Sequence, residues 1–249
     1  DLHEPYRRQR QMCIRDSPSN SYIYIYGDMD VNERLEYLDR EYLSDFDVSD
    51  VDIHANIERQ AAFDKPVYET KPYAITEDES LEDNTYLSYN AVIGTSVDAK
   101  LYLAFQILDY ALVMTPGAPV KQALLDAGIS TDVYSSYETS LYQPVYSIVA
   151  KNSNSKEQDR FVSVINDTLE KLVKDGINER TIEAGINYYE FKYREADYGP
   201  YPKGLMYYLT MMDSWLYDET KPFIHIEAGD TFDELKKNAR NGYFEKLIK

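Results

Sequence analysis

The sequence predicts an α+β domain: a mostly antiparallel sheet with helices packed on one face, followed by extra C-terminal helices. Three observations carry this. Apolar, β-rich runs come in adjacent pairs, as antiparallel hairpins require. Helical patterns separate one pair of runs from the next. Beyond residue 155 the periodic segments are all helical. Paired strands with helices gathered on one face define the α+β class.

Bulk composition narrows the possibilities. The chain has 249 residues, of which 43% are hydrophobic, enough for a packed core. The net charge of -18, from 26 basic and 44 acidic residues, excludes nucleic acid as a partner. It is compatible with basic peptides as ligands, although solubility is the plainer reading. The single cysteine, Cys13, forms no internal disulfide, which suits a reducing, cytoplasmic setting. No apolar run approaches the ~20 residues of a membrane span, so no membrane partner is expected, and no signal-peptide pattern is visible. Tyrosine is abundant at 25 residues. Regular placements such as Tyr22, Tyr24 and Tyr26 favour core and boundary packing over a sugar-binding surface.

Residues 1–17 are expected to be foreign to the fold. Arg7-Arg-Gln-Arg-Gln-Met-Cys-Ile-Arg-Asp-Ser17 has no periodicity and the opposite charge sign. It resembles translated sequencing-adapter sequence at the end of a metagenomic reading frame. Residues 21–26 alternate Ile23 and Ile25 with tyrosines, a strand pattern. Asp30, with Glu33 three residues on, then caps a helix with Leu35, Leu38, Tyr42 and Leu43 on its apolar face. Residues 44–54 form an acidic linker, 55–63 a short helix, 66–74 a strand and 77–83 an acidic loop.

Residues 83–151 organise the rest. A strand is expected over 84–94. A helix over 97–114 places Leu101, Ala104, Phe105, Leu108 and Leu112 on one face. Pro116 stops it, and Pro119 starts a short helix that Gly128 ends. Strands follow over 131–138 and 143–151. Ser155 and Gln158 then make a capping box for a helix over 156–174. A long helix starts at Asn178, another covers 202–217, and Thr231 with Glu234 caps the last segment, which Asn241-Gly242 interrupts.

Several separated blocks then match one family in order. Pro18-Ser-Asn-Ser-Tyr-Ile-Tyr-Ile-Tyr-Gly-Asp-Met-Asp30 resembles the end of the first domain of pitrilysin/insulinase zinc peptidases. Residues 83–177 resemble the second, non-catalytic domain of the same half-molecule. Gly185-Ile-Asn-Tyr-Tyr-Glu-Phe-Lys-Tyr-Arg-Glu195, Tyr201-Pro-Lys-Gly-Leu-Met206 and Asp213-Ser-Trp-Leu-Tyr217 are similar to the presequence-protease branch. The resemblance implies a division into a non-native segment (1–17), a remnant of the catalytic domain (18–46), an acidic linker with a lead-in strand (47–82) and the non-catalytic domain with its helical extension (83–249). It also implies a four-domain clam-shell that cleaves unfolded peptides with zinc-bound water, through an inverted H-x-x-E-H motif.

That chemistry is missing from this sequence. His3, His54 and His225 are too far apart for H-x-x-E-H or H-E-x-x-H, and Arg7 stands where His3-Glu4 would need its second histidine. The resemblance puts the zinc motif upstream of Pro18, so we expect no catalytic residue, no metal ligand and no cofactor here, with zinc held elsewhere in the parent. Asp28, Asp30, Asn32 and Asp39 imitate an EF-hand loop, but Glu33 replaces its glycine and a capped helix fits better. Asp45, Asp47, Asp50 and Asp52 read as a solvated linker. Glu190 and Arg194 read as a stabilising i,i+4 pair, and lone His225 as structural. In position, Thr115, Pro116, Gly117 and Pro119 correspond to a glycine-rich loop that reaches the substrate chamber in some relatives. Their own turn chemistry favours a rigid helix connector.

Three functions are thereby in play. The first is a chamber-forming, non-catalytic domain of a presequence-protease-like oligopeptidase, partnered by the remaining domains of the polypeptide and by peptide substrates. The second is an interaction or assembly module of the same fold without peptidase activity. The third is a tyrosine-rich carbohydrate binder.

Overall fold

Asp30 begins the first helix as the sequence requires: its carboxylate accepts from the main-chain N–H groups of Asn32 (2.9 Å) and Glu33 (3.2 Å). This helix, α1, spans Val31–Glu41 and runs into a 3-10 turn at Leu43–Asp45. The computed structural model describes residues 18, 21–47, 57–80 and 82–249. The chain divides into two units, Asp1–Ile57 and Glu58–Lys249. In the first, α1 has no buried side chain, and Val31, Leu35, Tyr42 and Leu43 stand exposed. Residues 21–26 belong to no ladder among the described residues, so the expected strand lacks a sheet. His3, Cys13, Asp50, Asp52 and His54 lie outside the described residues.

The second unit holds the sheet. Its elements are β1 (Thr85–Val92), α2 (Ala99–Asp109), α3 (Pro119–Asp126), β2 (Asp132–Glu138) and β3 (Val145–Ser153). Five more helices follow: α4 (Gln158–Asp175), α5 (Glu179–Glu195), α6 (Lys203–Trp215), α7 (Gly229–Ala239) and α8 (Tyr243–Ile248). The strands form one sheet in the order β1-β3-β2, antiparallel throughout. The α+β expectation thus holds, with a three-stranded sheet.

Alternation decides which face is covered. Leu87 of β1, Val133 of β2, and Tyr146, Ile148 and Ala150 of β3 are buried on the inner face. Against them lies α2, with Leu103, Ala104, Ile107 and Leu108 buried. Phe161 and Ile165 of α4, Phe232 and Leu235 of α7, and Phe244 of α8 complete this core. The run Ala99–Asp126 is long and apolar enough to cross a membrane by length and composition alone. Its burial in this core and its break at residues 115–118 account for that character.

Four local expectations give way. Residues 57–63, the described part of the expected 55–63 helix, are not helical. A segment that short has no stability without packing, and all of 57–63 is exposed. Residues 66–74 lie in no helix or ladder and are all exposed, so no packing holds them against the sheet. The Ser155/Gln158 box is replaced by Asn154, whose carboxamide accepts from Lys156 N at 3.3 Å ahead of a short 3-10 turn. Finally, α7 begins at Gly229, which puts Thr231 inside its first turn.

Candidate functional site: the turn after α2 and the open sheet face

The turn is built by the way α2 ends. After Asp109 the helix widens into a π-helical stretch, Tyr110–Met114, and Thr115 N closes back on Tyr110 O at 3.3 Å. Ala118 N then bonds Thr115 O at 3.0 Å, with Pro116 and Gly117 between them. Gly117 has φ +73°. Proline followed by a positive-φ residue is the signature of a type II turn. Pro119 opens α3 at its first position. Pro116 and Gly117 are exposed, while Thr115 and Pro119 are half-buried. The four residues form a rigid surface tip that presents no ionisable side chain of its own.

Aromatic rings back this tip. Tyr110 lies 5.1 Å from Tyr188, and Tyr188 lies 5.1 Å from Tyr189, whose hydroxyl approaches Met114 Sδ at 3.7 Å. The close approach of α5 to α2 depends on Gly185, where a Cβ would meet Tyr110 Cδ1 at 3.1 Å and Ile107 Cγ2 at 3.3 Å. Beneath, the Tyr146 hydroxyl donates to Asp109 Oδ1 at 3.0 Å. Burial pushes the Asp109 carboxyl up, against the lowering effect of its hydrogen bonds with Ser135 and Tyr146. Asp109 is buried away from solvent and serves packing.

The outer face of the sheet is open. Tyr86, Ser88, Asn90 and Val92 of β1 and Asp132, Tyr134, Ser136 and Glu138 of β2 are exposed, flanking half-buried Val145, Ser147, Val149 and Lys151 of β3. The middle of this face is polar: Asn90 Oδ1 accepts from Ser88 Oγ at 2.9 Å and Ser147 Oγ at 2.7 Å. Its centre offers hydrogen-bonding groups, with Tyr86 and Tyr134 exposed on either side.

The other candidates are structural. His225 is buried, its Nε2 lies 2.7 Å from Ser96 O, and its ring stacks on Tyr102 at 3.9 Å. Glu190 pairs with Arg194 at 2.5 Å and with Lys236 of α7 at 2.6 Å, so the pair also ties α5 to α7. Asp30 is the α1 cap and Asp39 lies within α1, which dissolves the EF-hand pattern. Among the described residues no group of three or more His, Cys, Asp or Glu side chains could hold a metal ion. Sequence reasoning missed the cluster around Asp213, which accepts from the Tyr102 hydroxyl at 2.8 Å and Thr139 Oγ1 at 3.2 Å. Its one visible signal was an acidic residue inside an apolar helical run.

The model for the Peptidase M16 inactive domain matches residues 17–189, and the chain belongs to that family. The chain is 42% identical to Protein HypA of Clostridium perfringens over 93% of its own length and 23% of that protein's. It is 32% identical to Presequence protease 1, chloroplastic/mitochondrial, of Arabidopsis thaliana over 88% of its length and 20% of that protein's. The chain therefore spans less than a quarter of these relatives. Among solved structures, it is similar to the inactive peptidase domain of a protein assigned as a zinc protease in Bordetella parapertussis. That likeness has a TM-score of 0.47 and 13% identity, and it covers 62% of this chain and 83% of the other. The residue-level resemblance to the presequence-protease branch is borne out by these relatives.

Proposed function

We propose that this chain is the non-catalytic, chamber-forming domain of a presequence-protease-like, zinc-dependent oligopeptidase that degrades unfolded peptides. The open face of the sheet carries this reading. A whole face without covering helices, polar at its centre, suits a wall against which an extended peptide lies. The 32% identity to a presequence protease supports the kind of parent enzyme. The remaining domains of the same polypeptide are the partners, and they supply the zinc.

The test has two arms. The isolated chain, incubated with zinc and a fluorogenic peptide, is expected to show no chelator-sensitive turnover. In the parent protein, a photo-crosslinker in place of Asn90 is expected to capture an unfolded peptide, and one in place of Asp159 on α4 is not. Turnover by the isolated chain, or equal capture at both positions, overturns the reading. A parent without an upstream H-x-x-E-H would favour the assembly-module alternative.

A further inference from the structure

Among the described residues β1 is an edge strand. An exposed edge is a template for unwanted pairing and is usually covered or blunted. The segment that leads into β1 is fastened at both ends of that strand. At one end the Gln143 carboxamide grips the Gln60 main chain twice: Gln60 N donates to Oε1 at 2.7 Å, and Nε2 donates to Gln60 O at 3.3 Å. Gln143 precedes Pro144, whose carbonyl accepts from Ile93 N just past β1. At the other end the Tyr73 hydroxyl lies 2.6 Å from both Asn84 O and Asn84 Oδ1, and its ring stands edge-on to Tyr86 at 5.6 Å. The strap between these pins therefore runs antiparallel to β1.

Between the pins, residues 61–72 are exposed and lie in no helix or ladder. Their sequence is nevertheless that of an edge strand. Proline biases the residue before it toward extended backbone, which favours an extended Lys65 and Lys71. Main-chain groups of successive strand residues point to opposite edges, and proline is tolerated only where its missing N–H faces solvent. Pro66 and Pro72 share one edge, with Tyr68 and Thr70 between them. Val67, Glu69, Lys71 and Tyr73 share the other, with every N–H intact. Residues 66–73 also match the eight-residue length of β1.

We propose that residues 66–73 are a displaceable fourth strand, which closes antiparallel onto the outer edge of β1 through the main-chain groups of Val67, Glu69 and Lys71. Docked, it covers the edge and turns its proline-bearing side outward, so no further strand can add. The pins at Gln60 and Tyr73 hold it in register while it is open.

Hydrogen exchange on the full chain tests this. The amides of Val67, Glu69 and Lys71 are expected to exchange at least tenfold more slowly than those of Tyr68 and Thr70. Glu69→Pro should erase that protection and Thr70→Pro should leave it. Gln143→Ala, which releases one pin without touching the strap, should speed exchange at the three amides several-fold and leave α2 unchanged. Equal exchange on both edges, equal effects of the two prolines, or no response to Gln143→Ala overturns the proposal.

Discussion

The Tyr102 hydroxyl donates a 2.8 Å hydrogen bond to Asp213 Oδ2 and thereby ties α2 to α6. Thr139, at the end of β2, adds a second donor at 3.2 Å. Burial pushes the Asp213 carboxyl up and the two hydrogen bonds pull it down. The surrounding residues extend the clamp: Tyr217 stacks on Tyr142 at 4.9 Å and its hydroxyl donates to Ser140 O. The block Asp213–Tyr217 therefore fastens the helical extension to the β2–β3 hairpin.

Removing one donor from this half-buried carboxylate exposes its cost. Tyr102→Phe is expected to destabilise the chain by about 0.5–1.5 kcal/mol, the net worth of one hydrogen bond to an acceptor that water can still partly reach. Asp213→Asn combined with Tyr102→Phe should cost less than the two single changes added together. Urea denaturation of the four proteins measures the coupling.

His225 gives a pH dependence of definite sign. Burial holds the imidazole down to about 4, while its hydrogen bond with Ser96 O works the other way. Nε2–H donates to that carbonyl, so protonation would place a second N–H at Nδ1, where no partner exists. The unfolded chain then binds the proton more readily. This stability term is complete above ~6.5, the unfolded value, and is lost as pH falls toward about 4. Over that interval it amounts to roughly 3 kcal/mol. Raised carboxyls at Asp109 and Asp213 contribute the opposite slope, so the comparison must be with a variant. His225→Phe should be less stable at pH 7.5 yet show a shallower loss of urea midpoint between pH 6.5 and 4.5.

At Gly185 two terms compete. Alanine in a helix interior gains about 0.5–1 kcal/mol over glycine. The new Cβ, however, would sit 3.1 Å from Tyr110 Cδ1, 3.3 Å from Ile107 Cγ2 and 3.4 Å from Ile107 O. Ile107 is fully buried and β-branched, so it yields little, and overpacking costs ~1–3 kcal/mol. Gly185→Ala should be net destabilising and Gly185→Val more so, in thermal or urea unfolding.

Much of this is legible in the sequence. Periodicity placed β1, α2, β2, β3, α4 and α5, and Asp30 and Asn178 cap their helices as read. The failures share one cause. Residues 57–63 and 66–74 have reasonable local patterns, but local pattern does not say whether a segment is held by packing or by a closed ladder. The polar centre of the open face was not legible, because Asn90 and Ser147 share a hydrogen bond across strands, a pairing set by register. Asp213 was invisible as an anchor because Tyr102 and Thr139 lie 111 and 74 residues away. The turn was half legible: Pro116 and Gly117 announced its geometry, while the π-helical stretch before it left no mark on the pattern.

That turn permits a prediction that separates its structural role from a role in the chamber. Gly117 has φ +73° and open space around its missing Cβ. An alanine there meets no clash but must hold a left-handed backbone, at a cost of about 1–2 kcal/mol. Asparagine tolerates that backbone better and should cost less. If the tip only connects α2 to α3, Gly117→Ala and Gly117→Asn in the parent enzyme lower the urea midpoint in that order and leave peptide turnover unchanged at temperatures where both stay folded. If the tip touches substrate, Gly117→Asn projects a carboxamide into the peptide's path, and KM shifts even though stability is almost preserved. The type II turn and rigid flanking prolines favour the first outcome. Steady-state kinetics beside urea melts on the same two variants decides it.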